Sequence, residues 1–192
     1  MGTLTEALTE MRRLKESAAQ WEHDKAAMAA DLEVFEVQSA ARLVEEPSEI
    51  EALTEQAVKL KTGLTLAQRT AATAQEQLLE AQRGVLRAHA EEHRREAARL
   101  QADADQRQAR TAELVEELTA HEGCTFEPKR HWEGGFQERT RTQMTRAKAI
   151  GAEGKAVELE TLADTGTAEQ VAQRAARIAE QNETPALETV AG

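Results

Sequence analysis

The 192-residue chain has no tyrosine, a single cysteine, three prolines and ten glycines, and its aromatics amount to 3%. Each shortage excludes something. One cysteine, Cys124, leaves no intrachain disulfide and fits a reducing setting. The hydrophobic share is 40%, but much of it is alanine, so a compact globule would lack wide side chains for its core. Few prolines and glycines beside abundant Ala, Glu, Gln, Arg and Leu is the composition of long helices and coiled coils. No apolar run approaches the roughly 20 residues that span a bilayer. The N-terminus also lacks a basic start followed by an apolar block. The expectation is a soluble chain without a signal peptide, cytoplasmic or part of a virion, with no membrane partner.

Positive charge is scarce too. The formal net charge is −11, which argues against a general binder of nucleic acid or anionic lipid. The exception is local: residues 129–148 carry six basic and two acidic side chains, and the sequence on either side is acidic.

What the chain does have is heptads. From Leu4 to Arg42, one seam position holds Leu4, Met11, Ala18, Lys25, Leu32 and Ser39, and the other Ala7, Leu14, Trp21, Met28, Phe35 and Arg42. Such a stripe is an amphipathic helix that needs a partner surface. Pro47 interrupts it, and Ser48 with Glu51 offers a capping box for a restart. The next seam is apolar throughout, through Ile50, Leu53, Ala57, Leu60, Leu64, Ala67, Ala71, Ala74, Leu78, Ala81, Val85 and Ala88. Near Gly84 the frame slips by one residue. It resumes through Leu86, Ala90, His93, Ala97, Leu100, Ala104, Arg107, Thr111, Leu114 and Leu118, seven of the ten apolar, and a slip of this kind changes local supercoiling without ending a helix.

These patterns predict an all-α fold: an elongated coiled coil, built as an antiparallel helical hairpin with a long protruding helix and a small helical C-terminal region. The first helix covers 3–44. A second covers 48–120, roughly 110 Å at 1.5 Å per residue, and folds back on the first because short joints make antiparallel neighbours. An aromatic, glycine-containing joint occupies 121–136. Short helices with a basic start follow over 137–182, with Met144, Ala147 and Ile150 on one face and Gly151 and Gly154 weakening continuation. Thr167 and Gln170 cap a last helix through Val171, Ala175 and Ile178, and 183–192 is a mobile tail. Past residue 90 the second helix has no intrachain partner of matching length, so the seam from Leu86 to Leu118 is expected to drive homo-oligomerisation.

Chemistry-bearing patterns are weak. His121, Cys124 and His131 supply three donors, with Glu122 and Glu127 near, but structural zinc sites bring paired ligands and this stretch has one Cys. His89 and His93 stand four apart, yet the intervening residues give H-A-E-E-H rather than the H-E-x-x-H that sets a catalytic Glu beside a metal. Cys124 with His121 lacks any pattern for an oxyanion hole or pocket. The expectation is a protein that is not an enzyme and has no catalytic residues, metal or cofactor.

The sharpest anomaly combines aromatics with charge. Phe126, Trp132 and Phe136 adjoin Lys129, Arg130, Arg139, Arg141, Arg146 and Lys148. Rings folded over a helix end would account for this. As a docking element, the same residues would meet a protein partner with an acidic or apolar groove. Nucleic-acid phosphates, as for an accessory protein of a mobile element or replicon, are the alternative, ranked second because the acidic flanks repel a duplex. An acidic helical body with a basic docking segment toward its C-terminus resembles the layout of phage scaffolding and other helical assembly proteins. That resemblance implies a structural scaffold or adaptor working through protein–protein contacts.

Overall fold

In the computed structural model, which describes residues 2–123 and 141–183, every regular element is helical. Helix α1 spans Leu4–Glu45, a single 3-10 turn covers Pro47–Glu49, α2 spans Ile50–Glu122, α3 Arg141–Thr165 and α4 Ala168–Glu183. The all-α expectation holds. The chain divides into two compact units, one made of Met1–Val85 with Thr167–Gly192, the other of Leu86–Gly166.

In the first unit α1 begins with a capping box: the Glu6 amide donates to the Thr3 hydroxyl (3.3 Å) and the Thr3 amide to the Glu6 carboxylate (2.8 Å). Such a box satisfies two of the amides a helix start leaves free. At the other end Pro47 starts the 3-10 turn, with no side-chain cap at Glu46. Ser48 lies inside that turn. The break thus falls at Pro47, as expected, and Ser48 sits inside the turn rather than directly before α2.

Helices α1 and α2 run antiparallel, as two pairings show. Lys61 reaches Glu36 near the turn (3.0 Å), and farther along Met11 and Leu78 line one cleft. The seam heptads supply the contact, with Leu4, Met11, Ala18, Ser39, Leu53, Ala67, Ala71, Ala74 and Val85 all buried. Away from the turn α4 adds a third helix. Its start is a second capping box, Thr167 with Gln170 (3.0 and 3.3 Å), and Val171, Ala175 and Ile178 are buried. Arg12 ties it to α1 through Glu183 (2.5 Å).

In the second unit α3 lies antiparallel to the distal part of α2. Arg87 meets Asp164 (3.2 Å), Arg94 bonds Glu160, and Arg146 bonds Asp105 (3.0 Å). This corrects the expectation that α2 lacks an intrachain partner past residue 90. The expected face of Met144, Ala147 and Ile150 is the exposed one. The buried row is Ala149, Ala152, Ala156, Leu159 and Ala163, whereas Met144 and Ile150 are exposed. Small side chains let the two backbones approach closely, and that close contact outweighs the larger residues on the other face. Helix α3 also runs unbroken through Gly151 and Gly154, although each glycine costs about 1 kcal/mol in a helix interior.

The frame slip near Gly84 has a different meaning from a supercoil adjustment. Val85 and Leu86 are both completely buried, one on each side of the division between the units. The slip is where α2 changes partners. The helix then continues through His121 and Glu122 to Gly123, whose φ of 66° is the left-handed conformation that favours glycine. Its amide donates to the Thr119 carbonyl (3.0 Å), the single-bond form of a left-handed helix cap.

Candidate docking surfaces

The expected docking segment is only partly within the described residues. Phe126, Lys129, Arg130, Trp132, Phe136 and Arg139 lie outside them, as do Cys124, His131 and the expected tail after Glu183. Arg141, Arg146 and Lys148 fall in the first turns of α3.

Arg146 is already occupied within the chain. Its guanidinium donates to Asp105 (3.0 Å) and to the Gln108 side-chain oxygen (2.5 Å), both on α2. The hydrogen bond from Arg146, supported by one from Gln101, holds the Asp105 carboxyl below its ordinary value. This arginine fastens α3 to α2 and is corrected from docking group to positioning group. Arg141 and Lys148 are exposed and make no ion pair with another described residue.

The expected oligomer seam divides in the same way. Leu86, Ala90, Ala97 and Ala104 are buried within the single chain, and His93 and Leu100 are half-buried. These six cannot serve a second copy while α3 is in place. Leu114 and Leu118 are 43% and 46% exposed. They lie beyond the stretch of α2 where the cross-helix ion pairs to α3 are found.

His89 and His93 lie side by side on α2. The rings of His89 and His93 are 4.6 Å apart and tilted by 39°, and His93 Nδ1 is 3.7 Å from Glu96. Among the described residues no group of three His, Cys, Asp or Glu side chains is placed to hold a metal ion. Arg94, next to this pair, is the centre of a charge cluster. It bonds Glu160 on α3 and Glu91 on its own helix (2.9 Å), with Glu153 at 3.9 Å. Those hydrogen bonds, Glu160 first, raise its already high pKa further.

In the first unit a cleft of about 480 Å³ opens between α1, α2 and α4, where Ala172, Ala176 and Ala179 leave room beside Met11 and Leu78. Arg12 and Glu183 bridge it, so its rim is self-neutralised. No helix among the described residues is long and apolar enough to cross a membrane.

Comparison of the chain with protein-family models, with curated proteins and with solved structures finds no match. Function is therefore argued from these surfaces alone.

One surface escaped the sequence reading. On α3, Ile150 and Val157 are 73% and 51% exposed and share the outer face with Gly151 and Gly154. A Cβ added at either glycine meets nothing within 4 Å. The signal was present in the spacing of Ala147, Ile150, Gly154 and Val157, but the glycines made it read as a weakened helix.

Proposed function

We propose that this protein is a non-enzymatic helical scaffold or adaptor that self-associates and docks a protein partner through its basic segment, as in phage or other large-complex assembly. The observation that supports the reading most directly is the distal end of α2. Leu114 and Leu118 keep the seam spacing of the residues before them, yet remain exposed. An exposed continuation of a coiled-coil seam is a surface for a second helix. The expected result for Leu114→Asp/Leu118→Asp is loss of oligomers in light scattering coupled to size-exclusion chromatography, with helicity by circular dichroism unchanged. An unaltered oligomer would remove the distal seam from the mechanism, and a wild-type monomer at all concentrations would remove self-association.

A further inference from the structure

A second apolar row runs along α1. Opposite its buried seam lie Ala27, Ala30, Val34, Val37, Ala41 and Val44, spaced alternately by three and four residues and all exposed. The valines are 54%, 69% and 83% exposed. The next positions in the same spacing are His23 and Ser48, so the row is an unbroken heptad seam from Ala27 to Val44, roughly 26 Å long at 1.5 Å per residue. A helix with two such seams has room for two partner helices, and α2 fills only the first. The alanines lie low beside the valines and leave holes for wide side chains of an incoming helix.

What borders the row selects its occupant. The flanking heptad positions are Asp24, Asp31, Gln38 and Glu45 on one side, and Ala26, Glu33 and Ala40 on the other. Four of the seven are acidic and none is basic. The nearest bases, Lys25 and Arg42, lie off the row and are bound within the chain, to Glu22 and to Glu49 (2.6 Å). In a coiled coil, residues at flanking positions face their counterparts across the interface and decide which helices pair. A second α1 is therefore a poor occupant, since acid would meet acid. The exposed face of α3 is no better, because Glu153 and Asp164 border Ile150 and Val157. The same acids repel an anionic membrane surface.

We propose that the outer row of α1 receives an amphipathic helix of another protein, one with leucine or isoleucine along its heptad seam and lysine or arginine at its flanking positions. Those bases meet Asp24, Asp31, Glu33 and Glu45, which sets partner choice more than it adds affinity. The contact goes beyond self-association and uses neither Leu114 and Leu118 nor the basic segment. It gives the chain a docking surface whose charge is opposite to that of residues 129–148. Added salt weakens its ionic part and leaves its apolar part in place.

The experiment titrates the whole chain into a labelled three-heptad peptide with isoleucine and leucine at the seam and lysine at the flanking positions, read by fluorescence anisotropy. A scrambled peptide of the same composition controls for attraction to the net charge of −11. The heptad peptide is expected to bind about tenfold more tightly than the scrambled one, or better. Val34→Asp/Val37→Asp, at exposed positions, should abolish that difference with helicity by circular dichroism unchanged. Asp31→Lys/Glu33→Lys/Glu45→Lys should lose the lysine peptide and bind instead a version with glutamate at the flanking positions. Leu114→Asp/Leu118→Asp should bind the lysine peptide as the unaltered chain does, which keeps this contact separate from the distal seam. Equal binding of the heptad and scrambled peptides, or binding that survives Val34→Asp/Val37→Asp, overturns the proposal. Loss of the chain's own oligomers in Val34→Asp/Val37→Asp would give the row to a second copy and overturn it as well.

Discussion

The two units bury apolar surface in opposite ways. In the first, three helices meet away from the turn, and the buried set includes Leu4, Leu8, Met11, Val85, Val171 and Ile178. In the second, two helices meet, and the buried set is largely alanine, with Leu86 and Leu159 the large side chains that are fully enclosed. The contrast is geometric. A third helix closes the flanks of a seam and lets wide side chains leave water, whereas two helices shield mainly what lies directly between their backbones. The turn end of the first unit makes the same point. There α1 and α2 lie together without α4, and the seam residues Met28 and Ile50 are exposed. The second unit compensates along its edges, where Arg87 and Arg94 reach from α2 to α3 and Arg146 reaches from α3 to α2.

The largest expected effect tests whether the units are separate in energy as well as in contacts. Ile178→Ala should destabilise the three-helix section by about 2–5 kcal/mol, as truncation of a buried aliphatic side chain usually does. Leu159→Ala should do the same for the α2–α3 pair. Hydrogen exchange followed by mass spectrometry should show protection falling mainly in the unit that carries the substitution. Equal loss in both units would break the comparison and make the chain one cooperative body. Val44→Ala, at a position 83% exposed, should stay within about 0.5 kcal/mol.

A smaller change sharpens the account of α3. Gly151→Ala with Gly154→Ala should stabilise the second unit by about 0.4–1 kcal/mol per site, since neither new methyl group meets a neighbour. Urea denaturation measures this.

The smallest effect concerns acid. Asp105 is held below its ordinary value of 3.8, first by the Arg146 hydrogen bond. A lowered folded pKa contributes stability that is present above the unfolded value and is lost as the pH falls through the folded value. Docking of α3 should therefore loosen only below about pH 4, and Asp105→Asn should remove that part of the acid dependence. Because the pair is exposed, salt and solvent keep the effect slight.

The same contrast explains what the sequence disclosed. The α1–α2 seam and α4 were legible because leucine, valine and isoleucine at helical spacing signal burial, and the Thr167–Gln170 box marked a start. The partner of distal α2 was hidden because its inward face is Ala149, Ala152, Ala156 and Ala163, residues that register weakly on any scale of hydrophobicity. Size pointed instead to Met144 and Ile150, which face outward. The one-residue slip at Gly84 was visible, but its meaning depended on a helix more than 50 residues farther along the chain. Of the docking residues, charge and aromatic clustering could nominate Arg146 but could not show that Asp105 and Gln108 already hold it.

The division of the chain also has a consequence for biosynthesis. The second unit is a contiguous stretch, Leu86–Gly166, set between two pieces of the first. During translation α2 and α3 can pair as soon as residue 166 has cleared the ribosome. The α1–α2 hairpin can form before then, but its flank toward α4 stays open until Val171 and Ile178 are made. Helix α4, made after both α2 and α3, is thus the lid on the first core. A nascent chain stalled before it would present Leu4, Leu8 and Met11 to chaperones while its later-made unit is already complete.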